Sequence, residues 1–213
     1  LLVLSMLAFA FNVQTIEACM HRNIHIRADG SIDPPSAPIS RDGDVYTFTD
    51  NIYAPIVIEK SSIVVDGVGY TLQGSGDGTG IHLLDRKNVT IKNVRIRVFS
   101  HGILLSYSSK TIIQGCNITN NEIGVWFRNS SNNTLSGDTI TNSEIGVWLM
   151  NSLSNTLAGS NITDSNHGIR LFWSSNNFLS GNNIKDNYVG ITLKRCSNFI
   201  HHNNFVNNNL QVS

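Results

Sequence analysis

The sequence predicts an all-β fold, a single-stranded parallel β-helix with three short strands per coil and a period of about 22 residues, within the range of known solenoid repeats. The first observation is a repeat of the phrase Gly, Ile or Val, any residue, Leu or Phe. Its glycines recur at one constant interval and are Gly80, Gly102, Gly124, Gly146, Gly168 and Gly190. A fixed period is typical of solenoids, in which each repeat buries its apolar side only against its neighbours.

The second observation is the grouping of apolar residues inside each coil. In the coil from residue 124 to 145, Val125 and Phe127 stand two apart, and Leu135 and Ile140 follow singly. Spacing of two indicates a strand, and no group is long enough for a helix. The Asn, Ser, Gly and Asp residues between the groups suit tight turns. Each coil is therefore predicted to contain three strands and three bends.

The third observation is a column of asparagines, Asn133, Asn155 and Asn177, at one position of successive coils. Stacking in register would place equivalent residues about 4.8 Å apart, so their amides can bond from coil to coil. The segment before the regular repeats carries a match between residues 63–67 and 89–93 at an offset of 26. We expect the four extra residues to bulge in the glycine-rich loop from Gly74 to Gly80.

Three segments are predicted along the chain: a signal-peptide remnant at 1–18, an N-terminal capping segment at 19–53 and the parallel β-helix at 54–213. Residues 1–11 are almost continuously apolar, which is the length of a signal-peptide core and too short to span a bilayer. We therefore expect no transmembrane span and a secreted or cell-surface location, periplasmic or extracellular. Cleavage after Ala18 would leave Cys19 first, which raises lipid anchoring as an alternative.

The charge composition gives no reason to expect a nucleic-acid partner. The 213 residues carry a net charge of zero and only 14% charged residues, so nothing in the composition favours nucleic acid. The chain stops at Ser213, directly after the coil that begins at Gly190. Since an uncapped coil exposes strand edges, we expect end-to-end contact or a further domain there.

Four phrases carry a resemblance to a known family. They span residues 26–35 (IRADGSIDPP), 63–74 (IVVDGVGYTLQG), 88–93 (NVTIKN) and 201–208 (HHNNFVNN). They resemble archaeal-type secreted proteins of the NosD-like family, which implies the right-handed pectin-lyase-like β-helix superfamily. Its members include polysaccharide lyases, hydrolases and epimerases, non-enzymatic surface proteins and a periplasmic copper-linked protein. Function must still be argued from the site.

The favoured function is a non-catalytic scaffold of the cell surface that binds glycans. The ligand-binding candidates lie at outward positions of neighbouring coils and are Trp126, Trp148, Arg170 and Phe172. Exposed ring faces would suit stacking against sugars of a cell-surface or extracellular polysaccharide. The alternative is that the two indoles simply stack on each other and stabilise the sheet.

A carbohydrate-active enzyme, namely a polysaccharide lyase, hydrolase or epimerase, is the second hypothesis. The two outward columns of the first strand of each coil, one of which contains both tryptophans, have no carboxylate, which speaks against this hypothesis. The weak catalytic candidates are two stacked acidic pairs, Glu122 with Glu144 and Asp164 with Asp186. Carboxylates one coil apart would suit a retaining hydrolase or recruit calcium, and the alternative is that they are solvated turn residues.

No resident cofactor and no metal site are predicted. His201 and His202 adjoin in an alternating stretch, so we expect them on opposite faces and unable to share a metal. Copper delivery, the third hypothesis, is implied by the family resemblance alone. Candidate glycosylation sites occur at the sequons of Asn88, Asn117, Asn129, Asn132 and Asn161, although a repeat rich in Asn, Ser and Thr also creates sequons by chance.

Overall fold

The computed structural model describes residues 23–213, and this part of the chain is all-β, with 26 strands in three sheets and no helix. Most strands pair in parallel with the equivalent strand of the next coil, for example Val125 with Val147. The predicted parallel β-helix is thereby confirmed as a parallel β-solenoid. The predicted signal peptide and Cys19 lie outside the described residues.

The strands are numbered in chain order. The ten-stranded sheet contains β1 (Ile24–Ile26), β2 (Ile32–Asp33), β5 (Ile56–Ile58), β8 (Thr79–Leu84), β11 (His101–Ser106), β14 (Ile123–Arg128), β17 (Ile145–Met150), β20 (His167–Phe172), β23 (Val189–Lys194) and β26 (Leu210–Val212). The nine-stranded sheet contains β3 (Ile39–Asp42), β4 (Val45–Phe48), β6 (Val64–Asp66), β9 (Thr90–Lys92), β12 (Ile112–Gln114), β15 (Thr134–Ser136), β18 (Thr156–Ala158), β21 (Phe178–Ser180) and β24 (Phe199–His201). The seven-stranded sheet contains β7 (Thr71–Gln73), β10 (Arg95–Arg97), β13 (Asn117–Thr119), β16 (Thr139–Thr141), β19 (Asn161–Thr163), β22 (Asn183–Lys185) and β25 (Asn204–Val206).

One continuous apolar core fills the space between the three sheets. Each regular coil contributes two inward side chains from the ten-stranded sheet and one from each of the others, as Val125, Phe127, Leu135 and Ile140 show, all of them fully buried. These are the apolar groups identified in the sequence. Since each coil alone is too thin to enclose a core, burial depends on stacking between coils.

The offset of 26 is confirmed for β6 and β9, where Val65 pairs with Ile91. The expectation that all four extra residues lie in the glycine-rich loop is wrong. Leu72 pairs with Ile96 at an offset of 24, and Ile81 pairs with Ile103 at the regular offset of 22. Two extra residues therefore lie in the turn between β6 and β7, and two in the loop between β7 and β8.

Buried polar ladders line the inner corners of the coils. The predicted asparagine column is confirmed: the backbone N–H of Asn133 donates to Asn155 Oδ1 at 2.9 Å, and that of Asn155 donates to Asn177 Oδ1 at 2.8 Å. Each side-chain amide also donates to a carbonyl of the preceding coil, as Asn155 Nδ2 does to Ser130 O at 3.1 Å. The ladders therefore satisfy backbone groups that the bends leave unpaired.

A second ladder, composed of Cys116, Asp138, Ser160, Asn182 and Asn203, contains a carboxyl group. Asp138 is 1% exposed, and its Oδ1 accepts the backbone N–H of Cys116 at 2.7 Å. Its Oδ2 has no hydrogen-bond partner among the described residues. Burial raises the pKa of Asp138 to about 7, because the charged form loses its water. Asp138 therefore holds its proton over much of the pH range in which an exposed Asp would be ionised.

The N-terminal segment folds two antiparallel strands onto the parallel sheets. β2 pairs with β1 at the edge of the ten-stranded sheet, and β3 pairs with β4 at the edge of the nine-stranded sheet. Tyr46 from β4 is buried and donates its hydroxyl to Gly30 O at 2.8 Å. Strands of both these sheets lie on each side of the predicted boundary between residues 53 and 54, and that boundary stays a prediction. Nowhere between residues 23 and 213 is there a helix that could cross a bilayer.

Candidate functional site

The outer surface of the ten-stranded sheet carries the candidate ligand-binding residues. The register confirms the two outward columns expected from the repeat, since Trp126 pairs with Trp148, which in turn pairs with Arg170. The first column is His82, Leu104, Trp126, Trp148, Arg170 and Thr192, and the second is Leu84, Ser106, Arg128, Met150, Phe172 and Lys194. We call the part formed by Trp126, Arg128, Trp148, Arg170, Phe172 and Lys194 the aromatic face.

The two indoles stack on each other. The ring centroids of Trp126 and Trp148 are 4.9 Å apart and the planes differ by 6°. The coil spacing imposes this arrangement, because the distance between adjacent parallel strands equals a comfortable stacking distance. The expectation of open ring faces is therefore wrong: each indole turns one face to the other, and both side chains are half-buried. Arg128 and Lys194 beside them are exposed, and Arg170 is half-buried.

Three cations lie against these rings and against that of Phe172. The Cζ atom of Arg128 lies 5.8 Å from the Trp126 centroid, and that of Arg170 lies 5.3 Å from the Trp148 centroid and 4.6 Å from the Phe172 centroid. The Nζ atom of Lys194 lies 5.6 Å from the Phe172 centroid. Such contacts hold a cation in place without neutralising its charge.

None of these three cations forms a salt bridge with a described residue. Most ion pairs of the described residues lie near the N-terminus instead, such as the pair of Arg27 with Glu59 at 3.1 Å. Three N–H donors of the aromatic face are also buried without a partner among the described residues, namely Trp126 Nε1, Trp148 Nε1 and Arg170 Nε. The aromatic face therefore has an excess of positive charge and of donors.

His101 extends the aromatic face toward the N-terminus. This residue was not among the ligand-binding candidates predicted from the sequence. Its ring centroid lies 5.2 Å from that of Trp126, with the planes inclined by 39°. Burial lowers the pKa of His101, while the nearby Glu122 opposes that shift. The signal was available in the sequence, because His101 occupies the position before the repeat glycine Gly102.

The acidic pairs lie at the bends that precede the ten-stranded sheet. Asp164 and Asp186 have φ of 55°, in the left-handed region that Asp and Asn tolerate. Thr163 Oγ1 donates to Asp164 Oδ2 at 2.6 Å, and Lys185 Nζ lies 3.4 Å from Asp186 Oδ2. These contacts fit a role in turn formation, and the catalytic role of this pair stays a prediction.

Glu122 and Glu144 are exposed on adjacent coils, and Glu144 Oε1 accepts a hydrogen bond from Asn166 Nδ2 at 2.9 Å. They stand at one border of the aromatic face, four residues before Trp126 and Trp148 respectively. Their catalytic role stays a prediction, as does the recruitment of calcium.

The expectation that His201 and His202 point to opposite faces is wrong. Their Nδ1 atoms lie 2.8 Å apart, and the rings are inclined by 88°. The alternation ends at the last residue of β24, because His202 has φ of 53° and turns its side chain back toward His201. Imidazole nitrogens suit copper, but the described residues contain no group of three or more His, Cys, Asp or Glu side chains placed to hold a metal. The described chain thus offers copper two ligands and not a complete set.

The sequons lie on turns or on outer faces of the sheets. Asn88, Asn117 and Asn132 are exposed, whereas Asn129 and Asn161 are half-buried. Asn161 Oδ1 accepts a hydrogen bond from Asn183 Nδ2 at 2.7 Å. Glycosylation at these sites stays a prediction.

Three solved structures with a similar fold are described as an alginate epimerase, a mannuronan epimerase module and a pectate lyase. The periplasmic alginate epimerase AlgG is 18% identical, with a TM-score of 0.63 over 70% of this chain and 47% of the other. The A-module of the Azotobacter vinelandii mannuronan C-5 epimerase AlgE4 is 13% identical, with a TM-score of 0.55 over 74% and 57%. Pectate lyase Pel9A is 9% identical, with a TM-score of 0.52 over 75% and 58%. Identities this low show a shared fold, and the chain spans about half the length of these proteins.

Curated protein sequences provide no match to the chain. A family model described as "Periplasmic copper-binding protein (NosD)" matches residues 39–213, which is most of the chain and nearly all of the solenoid. The matched region includes the regular coils, the aromatic face and the two adjoining histidines. The chain belongs to the NosD family.

Proposed function

We propose that this NosD-family solenoid acts outside the cytoplasm, in the periplasm or at the cell surface, and binds an acidic polysaccharide along the aromatic face. The periplasmic description of the family supports the location. The observation that carries the ligand class is that Arg128, Arg170 and Lys194 are held against rings and lack carboxylate partners among the described residues. Carboxylates of a polyuronate would supply the missing partners.

The regular spacing of the coils suits a polymer more than a small anion. Equivalent residues recur about every 4.8 Å along the solenoid, so contacts can repeat along an extended chain. The aromatic face runs over four consecutive strands, β14, β17, β20 and β23. The stacked indoles provide a rigid base for the cations, because neither ring can move without losing contact with the other. Rigid, preorganised groups lose little entropy on binding.

Removing two exposed charges from the aromatic face should weaken binding to polygalacturonate. We expect Arg128→Gln with Lys194→Gln to lower the affinity about tenfold at about 0.15 M salt. Each exposed ion pair contributes about 0.2–1 kcal/mol, and two together approach the roughly 1.4 kcal/mol of a tenfold change. Both side chains are exposed, so the fold should persist. Isothermal titration calorimetry or affinity electrophoresis measures the change.

The matched control is Arg95→Gln with Arg97→Gln, which removes the same charge from exposed positions of the seven-stranded sheet. We expect this control to bind within about twofold of the parent. Equal losses in both double variants would mean unspecific attraction by net charge and would refute the aromatic face. Release of new reducing ends in the same samples would instead favour the enzymatic hypothesis. Two double variants then test that hypothesis, Glu122→Gln with Glu144→Gln and Asp164→Asn with Asp186→Asn.

Copper binding is the second candidate function, and the facing Nδ1 atoms of His201 and His202 favour it. In the structure these atoms are at hydrogen-bond distance, which requires one nitrogen to donate and the other to accept. A copper ion would compete with that shared proton for both nitrogens. We expect His201→Ala and His202→Ala each to abolish the Cu(II) binding measured by electron paramagnetic resonance, whereas His82→Ala should leave it unchanged. Undiminished binding in both variants would exclude this pair as the site.

A further inference from the structure

A cleft lies among the N-terminal coils, where the chain passes from the seven-stranded to the ten-stranded sheet. Its lining residues are Tyr53, Pro55, Gln73, Gly74, Ser75, Asp77 and Phe99, and its volume is about 260 Å³. This volume is slightly below the range typical of sites for drug-sized ligands, which suits a single sugar ring. No candidate of the sequence analysis lines this cleft.

The glycine-rich loop between β7 and β8 builds the cleft. This loop contains two of the four extra residues of the first coils, and the later coils have no counterpart to them. Gly76 and Gly78 have φ of 108° and 73°, a backbone conformation that residues other than glycine rarely adopt. Asp77 lies between these two glycines. The loop is tied to the next coil, because Gly76 N donates to Val98 O at 2.9 Å and His101 N donates to Gly78 O at 3.0 Å. Asp77 is thus presented by an anchored loop.

The chemistry of the lining suits vicinal hydroxyl groups. Tyr53 is 57% exposed, and Phe99 is buried, so the cleft offers an aromatic wall and an apolar base. Gln73 Oε1 accepts a hydrogen bond from Arg97 Nε at 3.0 Å, which leaves the amide nitrogen of Gln73 as a donor. The Asp77 carboxylate accepts only, and the Ser75 hydroxyl can do both. Adjacent sugar hydroxyls, which each donate and accept, match this set.

The charge of the cleft separates it from the aromatic face. Its described lining contains one carboxylate and neither Lys nor Arg. The Asp77 carboxylate would repel an anionic sugar, and the nearby Arg97 guanidinium is already bound to Gln73 Oε1. The cations of the aromatic face, which have no carboxylate partner among the described residues, would attract such a sugar.

We propose that this cleft is a second carbohydrate site, specific for a single neutral pyranose. It is independent of the proposed polyuronate binding, because it involves other residues and the opposite charge preference. A neutral sugar at the end or branch of a glycan is the ligand that the lining fits. Tyr53 contacts the apolar face of the ring, and Gln73 and Asp77 bind its hydroxyls.

Saturation-transfer NMR with methyl β-D-glucopyranoside tests the proposal, with the corresponding methyl glucuronide as the charged competitor. We expect saturation of the glucoside and weaker or no saturation of the glucuronide. Tyr53→Ala should reduce affinity up to about tenfold, as loss of one aromatic contact does. Asp77→Asn should also weaken glucoside binding, since the amide accepts fewer hydrogen bonds than the carboxylate.

Tyr107→Ala is the matched control, because Tyr107 is likewise 57% exposed but lies outside the cleft. Its glucoside binding should equal that of the parent. The proposal would be overturned if the glucoside showed no saturation or if the protein preferred the glucuronide. It would also be overturned if Tyr53→Ala and Asp77→Asn left glucoside binding unchanged, or if Tyr107→Ala lost as much binding as Tyr53→Ala. Arg128→Gln with Lys194→Gln should leave glucoside binding unchanged, so failure of the cleft and failure of the polyuronate proposal are distinguishable.

Discussion

Replacing Asp138 by Asn is expected to stabilise the protein most strongly above pH 7. Burial raises the pKa of Asp138 to about 7, from its ordinary value of 3.8. Because the folded state binds the proton more tightly than the unfolded state, the stability that this proton provides is complete below about pH 3.8. It is lost progressively as the pH rises to about 7 and does not change further above that value.

The expected gain follows from the size of this shift. With each pKa unit worth about 1.4 kcal/mol, Asp138→Asn should raise the free energy of unfolding by about 4 kcal/mol at pH 9 and by about 2 kcal/mol at pH 5. The new amide can donate to a carbonyl of the preceding coil, as Asn182 Nδ2 does to Leu157 O at 2.9 Å. It would thus give the orphaned Oδ2 position a hydrogen-bond partner.

Urea denaturation at pH 5, 7 and 9 measures this difference. Asp164→Asn is the control, because Asp164 is an exposed turn residue at which either side chain tolerates the left-handed backbone. We expect the control to follow the parent at every pH. A constant offset between Asp138→Asn and the parent from pH 5 to 9 would show that Asp138 does not titrate in this range.

The sequence predicts the backbone of this protein better than its surface. Period, strand grouping and the asparagine ladder all follow from one fact: stacked coils place equivalent residues next to each other. Val125, Leu135 and Ile140 could be assigned to the core because each recurs in register with a similar residue. Such arguments need only the position of a residue along the repeat.

Side-chain orientation does not follow from register in the same way. The outward positions of Trp126 and Trp148 were predictable, but the plane of each ring depends on rotamers and on which neighbour covers it. The pairing of His201 with His202 depends on a single left-handed residue at the end of a strand. Asp138 could have been found from the sequence, because it shares its repeat position with Ser160 and Asn182, which occupy a buried ladder.

The repeat glycines have a role that can be tested at Gly124. A Cβ atom at this position would lie 2.5 Å from Gly146 O of the next coil and 2.7 Å from Ile140 Cγ2. Both distances are far below van der Waals contact, and the first involves backbone that cannot move without separating the coils. The six repeat glycines are therefore needed because they permit close approach between coils. They are not needed for a left-handed backbone conformation, which none of them adopts.

We expect Gly124→Ala to lower the free energy of unfolding by about 3 kcal/mol or more, at the upper end of what overpacking costs. The control is Gly137→Asn at a turn, where φ is 66° and nothing lies within 4 Å of the added Cβ. Asn93 and His202 adopt the left-handed conformation at the equivalent positions of other coils, so this control should lose about 1 kcal/mol or less. Urea denaturation followed by circular dichroism compares the two variants. A smaller loss in Gly124→Ala than in Gly137→Asn would mean that the coils can separate at low cost, and the tight contact between successive glycines would then not explain the repeat.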